Sequence, residues 1–269
     1  MKTTNFYLSN FRSMILFLCI FCSVSGYGFK PAPPSKEFYE IKIYHLKDKA
    51  QEDRVEKYLR EAFIPAVHKA GIKKVGVFKP VGNDTAADRR IFVLMPFSSL
   101  NQFTALPDLL ENDKVYAAAG ADYLDAAYNN PAYTRLEAIQ TEAFPDMPQM
   151  QMPQLKAPMS ERIYELRSYE SASERYHINK VKQFNDGGEI KIFKHLGFNA
   201  VFYSRVIAGS HMPNLMYMTT FENKASREEH WKAFSADADW KKVSALPEYQ
   251  HNVSKNDTMF LTPTDYSEI

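Results

Sequence analysis

Polar and apolar residues alternate along Tyr39-Glu40-Ile41-Lys42-Ile43-Tyr44, and the same order of residue types returns as Tyr164-Glu165-Leu166-Arg167-Ser168-Tyr169, 125 residues later. A period of two predicts a strand in each copy, and repetition at half the chain length predicts a duplicated unit. After the first strand, residues 51–70 place Val55, Tyr58, Leu59 and Ala62 at helical spacing, with Gly71 as a C-cap. Residues 75–79 and 90–97 read as strands around a turn at Gly82-Asn83-Asp84. A second helical region covers 99–128, and 133–139 is a closing strand. The second half follows suit, with a strand at 164–169, a helix over 173–196 ending at Gly197, strands at 200–205 and 215–221, and a last strand at 257–262. Ser226-Arg227-Glu228-Glu229 has the form of a capping box opening its second helix. Phe97 with Phe221, and Tyr116 with Trp240, are further matched landmarks.

The order β-α-β-β-α-β in each half is that of a ferredoxin-like unit. The expected fold class is therefore α+β, with tandem ferredoxin-like domains over 36–144 and 161–269. Residues 145–160, rich in Pro and Met and without periodicity, read as the linker between them. Helices cover one face of such a sheet and the other face needs a partner. A tandem copy can supply it, giving an arrangement of the dimeric α/β-barrel type within one chain. A homodimer pairing like domains would satisfy the same need.

Residues 1–28 stand apart. Lys2 and Arg12 precede an apolar run from Met14 to Val24, and small residues follow at Ser25, Gly26 and Gly28. That is the layout of a signal peptide cleaved near Ser25–Gly28, and it predicts a secreted or periplasmic protein. The run is shorter than the ~20 residues that span a bilayer, so no membrane span is expected after its removal. Both cysteines lie within it, so the mature chain would hold no disulfide, thiol nucleophile or thiolate metal site. The net charge of +1 becomes −1 when two bases and no acids are removed, and no basic stripe is present. Nucleic acid is thus not an expected partner.

Strand parity separates Tyr39, Ile41 and Ile43 from Glu40, Lys42 and Tyr44, and likewise Tyr164, Leu166 and Ser168 from Glu165, Arg167 and Tyr169. The apolar faces are expected under the helices and the polar faces inside the barrel. There Glu165 and Arg167, two apart on one face, would pair into a closed network, or the six polar side chains would frame a pocket for a small polar-aromatic ligand such as a carboxylate, carbonyl or phenol. A carboxylate there with a raised pKa could serve as a general base. The first helix is interrupted at Pro65 in one half and at Asn185-Asp186-Gly187-Gly188 in the other. Asn185, Gly187 and Gly188 expose backbone that can bind an anion, and His177 lies early enough in its helix to face the barrel mouth. The seven histidines show no metal-ligand spacing, and neither a P-loop nor a dinucleotide fingerprint occurs. No cofactor is expected; a haem would have to take one of the scattered histidines.

The second half resembles the NIPSNAP family through Tyr164-Glu165-Leu166-Arg167-x-Tyr169, Gly197-Phe198, Met216-Tyr217-Met218 and Glu229-His230-Trp231…Asp237…Trp240. The first half is a degraded copy, with Lys42 for Arg167, Leu106 for His230 and Tyr116 for Trp240. The resemblance implies the dimeric α/β-barrel fold and carries over no catalytic residues. Related barrels include cofactor-independent monooxygenases and haem-binding enzymes, an analogy of fold alone. Two functions are thus in view: an exported binding protein, or a barrel enzyme using Glu165 or a histidine as base and Tyr169 to orient its substrate. The better match of the second half puts the expected site there.

Overall fold

In the computed structural model, which describes residues 34–269, the two alternating hexapeptides lie in β1 (Phe38–Leu46) and β5 (Ile163–Glu170). The signal-like leader lies outside the described residues. After β1 come α1 (Lys49–Tyr58), a π-helical turn (Leu59–Phe63), α2 (Ile64–Lys69), β2 (Gly76–Pro80), β3 (Arg89–Phe97), α3 (Leu100–Glu111), α4 (Lys114–Leu124) and β4 (Arg135–Ala143). After β5 come α5 (Glu174–Phe184), α6 (Glu189–His195), β6 (Asn199–Ala208), β7 (Asn214–Phe221), α7 (Lys224–Ala236), α8 (Ala238–Ser244) and β8 (Lys255–Pro263). All strand pairs are antiparallel, and they close one barrel in the order β1-β3-β2-β8-β5-β7-β6-β4. The halves meet at β2–β8 and β4–β6, so each covers the other's sheet edges as well as one face.

Short polar side chains start the helices. Asp48, Ser99, Ser173 and Asn223 each accept a backbone N–H from three residues on, a cap worth about 1 kcal/mol. The expected box at Ser226–Glu229 is therefore displaced: Asn223 is the cap, and Arg227 is free to reach the sheet. Pro65 does not break its helix. It enters the first turn of α2 after the π-helical turn, which absorbs its missing N–H. The second half has a real break between α5 and α6, with Gly188 left-handed at φ 81°.

Three cores result. One lies between the first half's sheet and helices, around Tyr44, Leu59, Phe63 and Met95. A second lies between the second half's sheet and helices, around Tyr169, Phe184, Phe193 and Tyr217. The third fills the barrel, with Tyr39, Ile41, Tyr164 and Leu166 among its members. The parity pattern holds, but the faces are the reverse of expectation. The Tyr-aliphatic faces line the barrel, and Glu40, Lys42, Tyr44, Glu165, Arg167 and Tyr169 lie under the helices. The physical reason is enclosure. Eight strands surround the barrel centre, where a charge would find neither water nor a partner. The helix layer can offer both.

Residues 145–160, which join the two halves, pack on the fold. Met147 is buried, Met150 and Met152 pack on the barrel core, and the backbone bonds Glu37 and Val201. These contacts close the barrel end at which β1 begins. No helix of the described residues is long and apolar enough to cross a membrane.

Candidate functional site

The two hexapeptides present the same side chains to two different helix layers. In the second half, Glu165 is fully buried and saturated. Arg227 of α7 grips it with both Nε (2.8 Å) and Nη2 (2.9 Å), Trp231 donates its indole N–H at 2.9 Å, and Arg167 Nε donates at 2.6 Å. Arg167 stacks 3.8 Å from the centre of the Trp231 ring and donates to the Tyr169 hydroxyl, which pairs with Tyr217 at 2.8 Å. Burial alone would raise the Glu165 pKa, but the Arg227 hydrogen bonds, the Arg167 charge and the Trp231 donor hold it below the usual carboxylate range. Beyond it, Lys180 and Glu189 form a buried pair at 2.8 Å, and burial pushes Glu189 upward. This is a satisfied structural network. The expected role of Glu165 as a base with raised pKa does not survive, because a carboxylate held by two guanidiniums is a poor proton acceptor.

In the first half the same floor is uncovered. The caps set the register: Ser99 and Asn223, like Asp113 and Asp237, lie 124 residues apart. Arg227 is then matched by Phe103, and Trp231 by Pro107. Glu40 therefore has no guanidinium from the helix above it. Its ion-pair partner is Lys42, with Nζ 3.8 Å away and 5.1 Å from the Phe63 ring centre. Burial raises the Glu40 pKa, and Lys42 only partly offsets the shift. Gln140 of β4, directly opposite Glu40 in register, is buried with neither amide oxygen nor nitrogen hydrogen-bonded among the described residues. Above this floor is a cavity of about 710 Å³ lined by Tyr58, Phe63, Phe103, Leu106 and Tyr116. The Tyr58 and Tyr116 hydroxyls bond each other at 2.7 Å. Tyr44 lies deeper, its hydroxyl pushed far up by burial and by Tyr123.

The remaining candidates lie elsewhere. The Asn185 amide is consumed within the fold, accepting from the Asp146 N–H and donating to the Val181 carbonyl. Gly187 fits where a Cβ would come within 2.6 Å of the Gln183 carbonyl oxygen. With Gly188 it makes a tight connection, and α6 is too short to act as an anion site. His177 is half-buried with Nδ1 unpartnered, beside Arg205, and its pKa is lowered by burial and then by Arg205. It lines a separate 230 Å³ pocket with Lys36 and Lys182, away from the barrel mouth. The space between the sheets is filled at its centre and opens at one end, where 390 Å³ is lined by both halves. Among the described residues no group of three or more His, Cys, Asp or Glu side chains is placed to hold a metal.

The NIPSNAP family model matches residues 164–268. The second half of the chain is thus similar to a NIPSNAP domain over those residues. A NIPSNAP family protein of Agrobacterium tumefaciens is 20% identical over 40% of this chain and 99% of its own, with a TM-score of 0.35. Over most of the chain the fold is also that of a candidate monooxygenase from Lactobacillus acidophilus, 9% identical, covering 85% of this chain and 94% of the other at a TM-score of 0.56. A candidate monooxygenase from Fusobacterium nucleatum, 8% identical, covers 87% and 99% at 0.50. No curated protein sequence matches the chain significantly. The half similar to NIPSNAP is thus the sealed one, and the cavity belongs to the half outside the match. The residues that line it were legible only by setting the two second helices in cap register, where Phe103 and Pro107 replace the partners of Glu165.

Proposed function

We propose that this protein binds a small polar-aromatic ligand in the first-half cavity, its polar end on Glu40 and Lys42 and its ring among Phe63, Phe103 and Tyr116. The observation that carries this reading is the contrast between two equivalent carboxylates. Glu165 is saturated, whereas Glu40 is buried with a single 3.8 Å partner beneath an open volume. An incompletely paired buried acid in a large aromatic-lined cavity is the ordinary signature of a ligand site. The ligand class expected from sequence is kept, but its position moves from between the sheets to beneath α3 and α4. We read residues 36–144 and 161–269 as tandem ferredoxin-like copies in which one keeps its network for structure and the other has lost it to make room. The leader supports an exported location, and barrel closure within one chain requires no second copy.

The test is calorimetric titration with 2-naphthol, a phenol of suitable shape. Binding is expected for the unmodified protein, with roughly tenfold or greater weakening in Glu40→Gln, the cost of losing a charge-assisted hydrogen bond. Phe103→Arg combined with Pro107→Trp, which restores the second half's partners, should abolish binding. Equal affinity in all three proteins would sink the proposal.

A second reading, turnover of the ligand, is favoured by the raised pKa of Glu40, which suits a general base nearer neutrality than an ordinary carboxylate. It predicts oxygen uptake with the same phenol that Glu40→Gln removes. No histidine of the described residues lines the cavity, so a haem-dependent form would need another site; a Soret shift on titration with haemin is its test.

A further inference from the structure

The barrel mouth, at the end where β1 finishes, holds a second constellation. Its shaft is apolar, formed by Ile43, Phe92, Ile139, Leu166 and Met216 from both halves. At its rim is Arg90 of β3, whose guanidinium lies 5.7 Å from the Phe92 ring centre. Arg90 Nε is buried and has no hydrogen-bond partner among the described residues. Its nearest carboxylate oxygen, on Asp88, is 3.6 Å away, too far for a hydrogen bond, and its Nη2 meets only the Met259 sulfur at 3.8 Å.

The acids around the mouth are engaged elsewhere. Both oxygens of Asp88 face His45 Nδ1, at 2.9 and 3.1 Å. Glu137 meets His45 Nε2 and Arg135, at 3.1 and 3.0 Å. Asp257 pairs with Lys255 at 2.8 Å, and Glu170 meets His211 at 3.1 Å. Arg90 is thus the base of the rim that lacks a bonded oxygen acceptor, and the fork it presents suits a carboxylate. The Arg90 side chain is partly exposed at the rim, so a ligand can reach it, while its buried Nε lacks an acceptor, which is costly for a charged donor; an apolar shaft beside it fits a ligand with one charged end.

We infer that the barrel mouth binds a monocarboxylate with a short apolar tail, its head on Arg90 and its tail in the shaft. This site is separate from the cavity above Glu40 and is served by both halves, as the other is not. The measurement is calorimetric titration of the full chain with octanoate, octan-1-ol and octylammonium. Octanoate should bind saturably, octan-1-ol roughly tenfold more weakly or worse, and octylammonium not at all. Arg90→Met should reduce octanoate to the level of octan-1-ol, and Arg90→Lys should restore part of the loss. Should Arg90→Met fail to fold, the ranking of the three probes on the unmodified protein decides. Octanoate binding that ignores Arg90→Met, or no preference for octanoate over octan-1-ol, overturns the inference. Glu40→Gln should leave octanoate binding unchanged, so this test and that of the phenol site fail independently.

Discussion

The same substitution at Glu165 and at Glu40, matched positions of the two hexapeptides, should destabilise the fold in the first case and not in the second. Glu165→Gln removes the anion that four donors converge on: Arg227 through two nitrogens, Arg167 and Trp231. Arg167 then remains beneath the helices without a counter-charge, Arg227 keeps only the exposed Glu228, and the amide turns donors of its own toward them. Breaking a buried pair in this way costs about 3–5 kcal/mol. Glu40→Gln removes a carboxylate whose one ion pair is long and whose lysine is partly solvated. Such a pair contributes about 0–1 kcal/mol, and the neutral amide escapes the burial penalty that raises the Glu40 pKa. The expected result is no loss, or a gain of up to about 1 kcal/mol. Urea denaturation at pH 7, followed by two probes, reads the midpoint shift at constant slope.

The pH dependences differ too. The folded pKa of Glu165 is depressed, so its contribution is full above the unfolded value and is lost as pH falls through the folded one. The gap between the unmodified protein and Glu165→Gln should therefore narrow on acidification below the ordinary carboxylate range. The folded pKa of Glu40 is raised, so its protonated form favours the fold below the unfolded value, and that advantage is lost as pH rises through the folded one. Any gain from Glu40→Gln should thus appear near neutrality and vanish in acid. A loss under 1 kcal/mol for Glu165→Gln, or equal losses in both variants, refutes the assignment of one carboxylate to structure and the other to a site.

Other outcomes follow from the packing. Trp231→Ala removes an indole that donates to Glu165 and stacks on Arg167, and should cost about 3 kcal/mol by thermal or urea unfolding. Asn185→Ala deletes one hydrogen bond accepted from Asp146 and one donated to Val181, an expected loss of about 1–3 kcal/mol in the same assay. Gly188→Ala places a side chain at φ 81° in otherwise open space, so it should cost only about 1 kcal/mol and leave phenol binding intact. Met152→Asp sets a charge against the barrel core at the 145–160 segment and should accelerate proteolysis there, read by limited digestion.

Much of the fold was legible because its signals are local. The period-two hexapeptides, the matched Gly71 and Gly197, and the repeated landmarks gave two β-α-β-β-α-β halves, and every expected strand is present. The misreadings have nonlocal causes. Pro65 read as a break because Pro ends helices, but a π-helical turn accommodates it. The Pro/Met-rich segment read as the linker because it lacks periodicity; where its methionines pack was not legible, because Met147, Met150 and Met152 find apolar partners only once the barrel exists. The capping box at Ser226 had the right residue types, but Asn223 holds the cap position, which releases Arg227 for Glu165.

By itself the sequence determined the repeated order of strands and helices, the strand parity and the identity of the six side chains that share the polar faces, since all three depend on spacing alone. Tertiary structure decided which face looks into the barrel and which copy is open. Parity sorts side chains into two sets without saying which set meets a closed volume; that depends on eight strands joining up. Equivalent glutamates likewise differ only through what the opposing helix brings: Arg227 and Trp231 over Glu165, Phe103 and Pro107 over Glu40. A buried charge is structural or available according to partners far away in sequence, and only the folded chain brings them within reach.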